Sequence, residues 1–206
     1  MRSIIGKKLG MTRVFDEAGN VVAATVIEAG PNVVTQVKTI EKDGYRAVQI
    51  GFGTRKLKHV TKAVQGQTSK SGKGPFEVVR ELRDFDNGQE LQVGDEIKCS
   101  IFNAGELVKV TGITKGLGFQ GVVRRHHFSG GPKTHGQSDR MRAPGSLGQS
   151  SYPSRVFKGL KMAGRMGGVQ QTVRNLRVFK VDEANNLLII KGAVPATDKG
   201  IVLIRK

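Results

Sequence analysis

The stretch KGLGFQG, residues 115–121, carries Gly116, Gly118 and Gly121 at the spacing G-x-G-x-x-G, after a run of strand character and before VVRRHH. At that spacing glycines let the backbone close on the pyrophosphate of a dinucleotide at a helix N-terminus. Asp139 lies 18 residues beyond Gly121, near where an acidic residue would hold the ribose. A nucleotide-binding βαβ unit also needs a crossover helix and a second parallel strand, and SGGP, residues 129–132, stops any helix within about two turns. GQTSKSGKG fails as a phosphate loop, because five residues rather than four separate Gly66 from Gly72, and Gly74 replaces the Ser or Thr after Lys73. His126, His127 and His135 have no second Cys and no carboxylate cluster with which to hold a metal, and no Ser stands in a G-x-S-x-G elbow. No catalytic residue, metal, cofactor or small-molecule substrate is expected, and a nucleotide-dependent enzyme using Gly116 to Gly121 is the alternative reading.

Charge points elsewhere. The 206 residues carry a net charge of +17, which implies a polyanionic partner. From Lys109 to Lys180 fourteen Lys or Arg face Asp139 alone, from Arg55 to Lys73 six face no acid, and the remainder is near neutral at −2. Ser129 to Gly168 includes nine Gly and seven Lys or Arg and follows neither a helical nor a strand period. Glycine permits close approach to a phosphate chain, proline fixes direction, and Lys or Arg displaces condensed counterions. Such a segment can be ordered by folded RNA rather than by a core of its own. The candidate RNA contacts are Arg55, Lys56, Lys58, Lys62, Lys70 and Lys73 in the first basic segment. In the second they are Lys115, Arg124, Arg125, His126, His127, Lys133, His135, Arg140, Arg142, Arg155, Lys158, Lys161 and Arg165. Gly130, Gly131, Pro132, Gly136, Pro144, Gly145, Gly148 and Pro153 are expected to shape the backbone between them. A general DNA-binding protein is a further alternative, disfavoured because no helix-turn-helix, zinc finger or basic zipper presents a helix to a major groove.

The elements that must carry these residues read as mainly β. SIIGKKLGMTRVF, VVAATVIEAG, VVTQVKTI and YRAVQIGF are rich in Val, Ile and Thr and separated by turn residues. Asp43-Gly44 predicts a tight hairpin. Leu57, Val60 and Val64 are spaced for a short helix in the first basic arm, FEVVRELRDF is ambiguous between strand and helix, and EIKCSIF reads as a strand holding the lone Cys99. LLIIKGAVP and GIVLIRK return to strand character at the C-terminus, so one domain is expected to draw strands from both ends of the chain. The expected division is 1–117 with 169–206 as body, including a basic loop arm at 55–74, and 118–168 as an inserted extension. With one cysteine and no long apolar run, the chain reads as soluble and cytoplasmic, with no membrane partner.

SIIGKKLGMTRVF, VKTIEKDGYRAVQIGFG, TGITKGLGFQGVVRRHHFSGGPKTHG, RAPGSLG and RVFKGLKMAGRMGG, in this order, resemble the bacterial large-subunit ribosomal protein L-three family nearly end to end. The resemblance implies a translation-protein-like closed β-barrel with short helices and a long irregular basic extension. It implies a structural constituent of the ribosome that binds 23S rRNA near its 3′ end early in 50S assembly, its extension reaching toward the peptidyl-transferase centre. Neighbours of the L-fourteen and L-nineteen families are implied as partners. Two departures stand out. Leu117 occupies a step where many members carry a basic residue, and Ser151 stands where some carry a methylated glutamine, so no such modification is expected.

Overall fold

The computed structural model describes residues 2–83, 85 and 91–206. In chain order the elements are β1 (Ser3–Phe15), β2 (Val21–Glu28), β3 (Asn32–Lys38), α1 (Ile40–Asp43), β4 (Ala47–Thr54), α2 (Lys62–Ser69), β5 (Phe76–Arg83) and β6 (Glu96–Ile97). They continue with β7 (Leu107–Ile113), β8 (Gly118–Gln120), α3 (Val122–His126), β9 (Gly164–Met166), β10 (Gln170–Asp182), β11 (Leu187–Lys191) and β12 (Ile201–Arg205). The chain divides into two compact units, one of Met1–Thr114 with Gln170–Lys206 and one of Lys115–Val169.

In the first unit six antiparallel strands close a barrel in the order β1-β12-β7-β10-β11-β2. The first and last strands are neighbours, with Ser3 opposite Arg205 and Lys7 opposite Ile201. Alternate residues of β7, β11 and β12 point inward, as the two-residue period of a strand demands. Ile4, Ile27, Val110, Val178, Leu188, Ile190 and Ile204 fill the interior and are fully buried. A second sheet, β5-β4-β3-β6, joins the same core through Val34, Ile50, Phe52 and Leu82. Its central β4 is buried through six successive residues, matching the continuous apolar run AVQIGF with Gln49 as its exception. Gly51 makes room there, since a Cβ would lie 2.4 Å from the Phe76 ring.

Two buried polar side chains tie this unit together. The Asn32 amide accepts from the Ile5 N–H at 3.3 Å and donates to its carbonyl at 3.0 Å, reproducing the exchange a strand residue makes. Lys8, 5% exposed, donates from Nζ to the carbonyls of Val194 and Ala196, each at 3.1 Å.

Several local expectations are corrected. Asp43-Gly44 is not a two-residue hairpin turn: β3 and β4 do pair antiparallel, but α1 intervenes and Gly44 caps it at φ 77°, its N–H bonded to the Ile40 carbonyl. Leu57 and Val60 do not share a helix with Val64. A 3-10 turn at Leu57–His59 precedes α2, and extended backbone at Val60 separates the two. FEVVRELRDF resolves as strand over Phe76–Arg83, with Asp84 outside the described residues. Cys99 is buried but lies on a 3-10 turn, Cys99–Ile101, and its burial pushes the thiol pKa up. No helix among the described residues is long and apolar enough to cross a membrane.

Candidate nucleic-acid interface

The Lys115–Val169 unit is built from little regular structure. β8 and β9 form a two-stranded ribbon, with Gly118 opposite Met166 and Gln120 opposite Gly164, and α3 follows at once. From His127 to Ala163 there is neither helix nor strand. Among the described residues of this unit only Val122 is buried. Gly130 shows how the irregular path holds its shape. Its φ is +75°, a Cβ there would come within 2.4 Å of the Met141 carbonyl oxygen, and the adjacent Gly131 N–H donates to that carbonyl at 2.9 Å. At the ribbon, Gly167 at φ +72° leaves equally little room, with a Cβ 2.0 Å from the Lys115 carbonyl oxygen. Gly136 and Gly145 also have positive φ, whereas Pro132, Pro144 and Pro153 restrict the chain by their fixed rings. Gly148 accepts at its carbonyl from the Ser146 hydroxyl at 3.0 Å.

The predicted site cations fall into groups with different occupations. Arg125 and His126, half-buried on α3, are turned onto the returning chain: Arg125 Nη1 donates to the Met162 carbonyl at 2.7 Å, and His126 Nε2 reaches the same oxygen at 3.0 Å. α3 ends directly after them because His127 takes a left-handed conformation at φ 60°. Arg124 faces solvent with only a 3.5 Å contact to Gln120. Lys115, His127, Lys133, His135, Arg140, Arg142, Arg155, Lys158, Lys161 and Arg165 are exposed. None of them makes an ion pair with a carboxylate among the described residues. In the body's arm Arg55, Lys56, Lys58, Lys62 and Lys70 are likewise exposed and unpaired, but Lys73 is bound to Glu96 at 2.6 Å and holds that carboxyl below its usual pKa. Lys73 is therefore partly neutralised within the protein.

A recess of about 640 Å³ opens within the second unit, lined by Phe128, Ser129, Gly130, Gly131, Arg140, Ala143, Pro144 and Gly145. It combines an aromatic ring, close-lying backbone and one cation. Arg155 stacks over Phe157 at 5.7 Å from the ring centre. Phe119 and Tyr152, 78% and 89% exposed, present ring faces that the charge-based reading left out of the site. Their sequence signal is an aromatic residue in a Gly-rich, basic context with no apolar period to bury it, and such rings stack on unpaired bases.

The enzyme readings find no support in this geometry. β8 pairs antiparallel with β9, and α3 is five residues long, so Gly116, Gly118 and Gly121 open no βαβ unit. No group of three or more metal-ligating side chains occurs among the described residues.

The family model described as Ribosomal protein L3 matches residues 84–202, more than half of the chain. A curated protein of Dehalococcoides mccartyi, named large ribosomal subunit protein uL3, is 52% identical over 206 residues, covering 100% of this chain and 98% of its own. Its namesake in Chlorobaculum parvum is 52% identical over 99% of this chain and 98% of its own, and that of Thioalkalivibrio sulfidiphilus 55% identical over 98% and 95%. By end-to-end identity and by the matched model, the chain belongs to the ribosomal protein L3 family.

Proposed function

We propose that this chain is a structural, non-catalytic constituent of the large ribosomal subunit in the cytoplasm and that it works by binding 23S rRNA. In this reading it joins near the 3′ end of that RNA early in 50S assembly, the 115–169 unit reaches toward the peptidyl-transferase centre, and proteins of the L-fourteen and L-nineteen families are its neighbours. One observation carries the RNA reading: a unit with a single buried residue holds a glycine-pinned irregular path lined with exposed, unpaired cations. No protein core stabilises such a path, whereas polyphosphate can, since each cation that displaces a condensed counterion releases it with a gain in mixing entropy. The relatives' printed names as large-subunit proteins support the ribosomal setting. The 640 Å³ recess and the exposed rings of Phe119 and Tyr152 suit unstacked nucleotides rather than duplex DNA.

Arg140, Arg142 and Arg155 are the group to remove. With all three changed to Ala, the slope of log affinity against log salt for a 23S rRNA fragment is expected to flatten by about 2 to 3, since each phosphate contact contributes about 0.7–0.9. The variant is also expected to leave 50S particles in a high-salt sucrose gradient where the wild-type chain stays with them. An unaltered slope and retention in the particle would refute the reading.

A further inference from the structure

The barrel carries a further cationic array, none of whose members is among the candidate RNA contacts named from the sequence. Lys109 on β7, Arg174 on β10 and Arg205 on β12 line one recess of about 460 Å³ with Thr111 and Thr172. β7 lies between β12 and β10 in the barrel, and Arg205 stands directly opposite Lys109 in register. The inward residues Val108 and Val110 are buried, so Lys109 and Thr111 alternate with them onto the outer face. On the other side of β7 the register jumps: Val173 faces Val110 and Leu176 faces Val108, leaving both Arg174 and Asn175 against Lys109. This is a β-bulge, with Asn175 in the left-handed region at φ 58°. Bulges of this kind re-aim a side chain.

Like charges placed directly opposite across a strand pair destabilise a sheet. Some of the body's cations are answered by carboxylates: Arg2 and Lys206 meet at Glu106, and Lys38 meets Glu81. No carboxylate lines the Lys109–Arg174–Arg205 recess, and none of the three cations has an ion pair among the described residues. The Thr111 and Thr172 hydroxyls lie 2.8 Å apart. One hydroxyl hydrogen is used within that pair, and the other is left for an outside acceptor. Cations from three adjacent strands spread over about 10 Å, since strands lie about 4.8 Å apart. That spread suits successive phosphates of one polynucleotide strand better than a single small anion.

We propose that this outer face of β12, β7 and β10 is a distinct phosphate-backbone binding site for RNA, carried by the barrel and separate from the contacts of the 115–169 unit. Its three cations receive RNA phosphates, and a threonine hydroxyl donates to a phosphate oxygen beside them. The mutual repulsion of Lys109 and Arg205 is relieved on binding.

The test uses the full-length chain and a large-subunit rRNA fragment, with affinity measured over a salt series. K109Q/R174Q/R205Q is expected to lower the slope of log affinity against log salt by about 2 to 3. The same decrement is expected in the R140A/R142A/R155A background, because the two arrays act on different phosphates. The charge-keeping variant K109R/R174K/R205K is expected to retain the wild-type slope. Thermal melting of the Gln variant is expected at or above the wild-type temperature, since it loses only repulsion. An unchanged slope in the Gln variant overturns the site, and if R140A/R142A/R155A flattens its own slope in parallel, the reading of the 115–169 unit survives that failure. A Gln variant that melts well below wild type also overturns the proposal, because the cations would then serve the fold.

Discussion

The two units answer the same question, what holds a chain in one conformation, in opposite ways. In the body, alternate strand residues converge on a closed interior, and two polar side chains carried inside are satisfied there, Asn32 by Ile5 and Lys8 by Val194 and Ala196, whereas Asn186 Oδ1 is buried without a partner. In the 115–169 unit one residue is buried, and fixed shape comes from positive-φ glycines, proline rings and scattered backbone hydrogen bonds such as Gly131 to Met141. The body's stability is internal. The second unit places most of its apolar and cationic side chains outward, so a core of its own contributes little to its stability.

Deleting methylenes in each unit breaks this comparison if it is wrong. Ile190 is fully buried in the barrel, and Ile190→Ala is expected to cost about 2–5 kcal/mol of unfolding free energy, the transfer loss plus the cavity left behind. Leu147 is 39% exposed, and Leu147→Ala is expected to change stability of the free protein by less than about 0.5 kcal/mol. Urea unfolding followed by circular dichroism measures both. Comparable losses at the two positions would mean that the second unit has a core of its own.

This contrast was legible in the sequence because its causes are local. The strand character of GIVLIRK and LLIIKGAVP is local in origin, and both form strands, β12 and β11, that bury alternate residues. The density of Gly and Lys or Arg in 129–168 marks a segment without a core, and the only regular element there is the three-residue β9. What the sequence did not show also shares a cause, since each point depended on tertiary context. A Gly that tolerates positive φ serves a hairpin turn or a helix C-cap equally, so Gly44 could not reveal α1 between β3 and β4. Composition could not distinguish a solvated lysine from a paired one, so Lys73 carried no sign of Glu96, 23 residues away. Nor did the sequence signal the contacts that Arg125 and His126 make with the Met162 carbonyl, 37 and 36 residues later. Lys109, Arg174 and Arg205 come together only once the barrel closes.

Lysine itself sharpens the distinction, because the same side chain is a structural bolt in one unit and an open contact in the other. Lys8→Met removes the only donor that reaches both the Val194 and Ala196 carbonyls among the described residues, and it is expected to cost about 1–3 kcal/mol for leaving them unsatisfied. Lys161 is exposed, and Lys161→Met is expected to leave the unfolding midpoint unchanged while reducing the salt dependence of RNA binding. Equal midpoints for the two variants would show that the Lys8 contacts add nothing to the barrel.

The smallest expected effect is electrostatic. Lys38 donates to Glu81 at 2.8 Å and to the Tyr45 hydroxyl at 3.0 Å, Tyr45 donates to Glu81 at 2.9 Å, and Arg83 lies 4.8 Å from the Tyr45 ring centre. The hydrogen bond from Lys38, then that from Tyr45, holds the Glu81 carboxyl below its ordinary range, and the bond to Glu81 raises Lys38. A lowered carboxyl contributes stability that is present above its unfolded pKa and is lost as pH falls through its folded one. The raised lysine contributes in the opposite sense, lost only as pH climbs above the ordinary lysine range. Wild type is therefore expected to melt slightly above Glu81→Gln at neutral pH, with the gap closing below about pH 4 as the carboxyl protonates. Added salt is expected to narrow the same gap, because the pair lies at the surface and is screened. The 115–169 unit has no cation–carboxylate pair among its described residues. A difference between the two melts that held constant from pH 7 to pH 3 would mean that Glu81 acts through packing, and that this carboxylate does not answer its cation in a way that sets the body apart from the unpaired second unit.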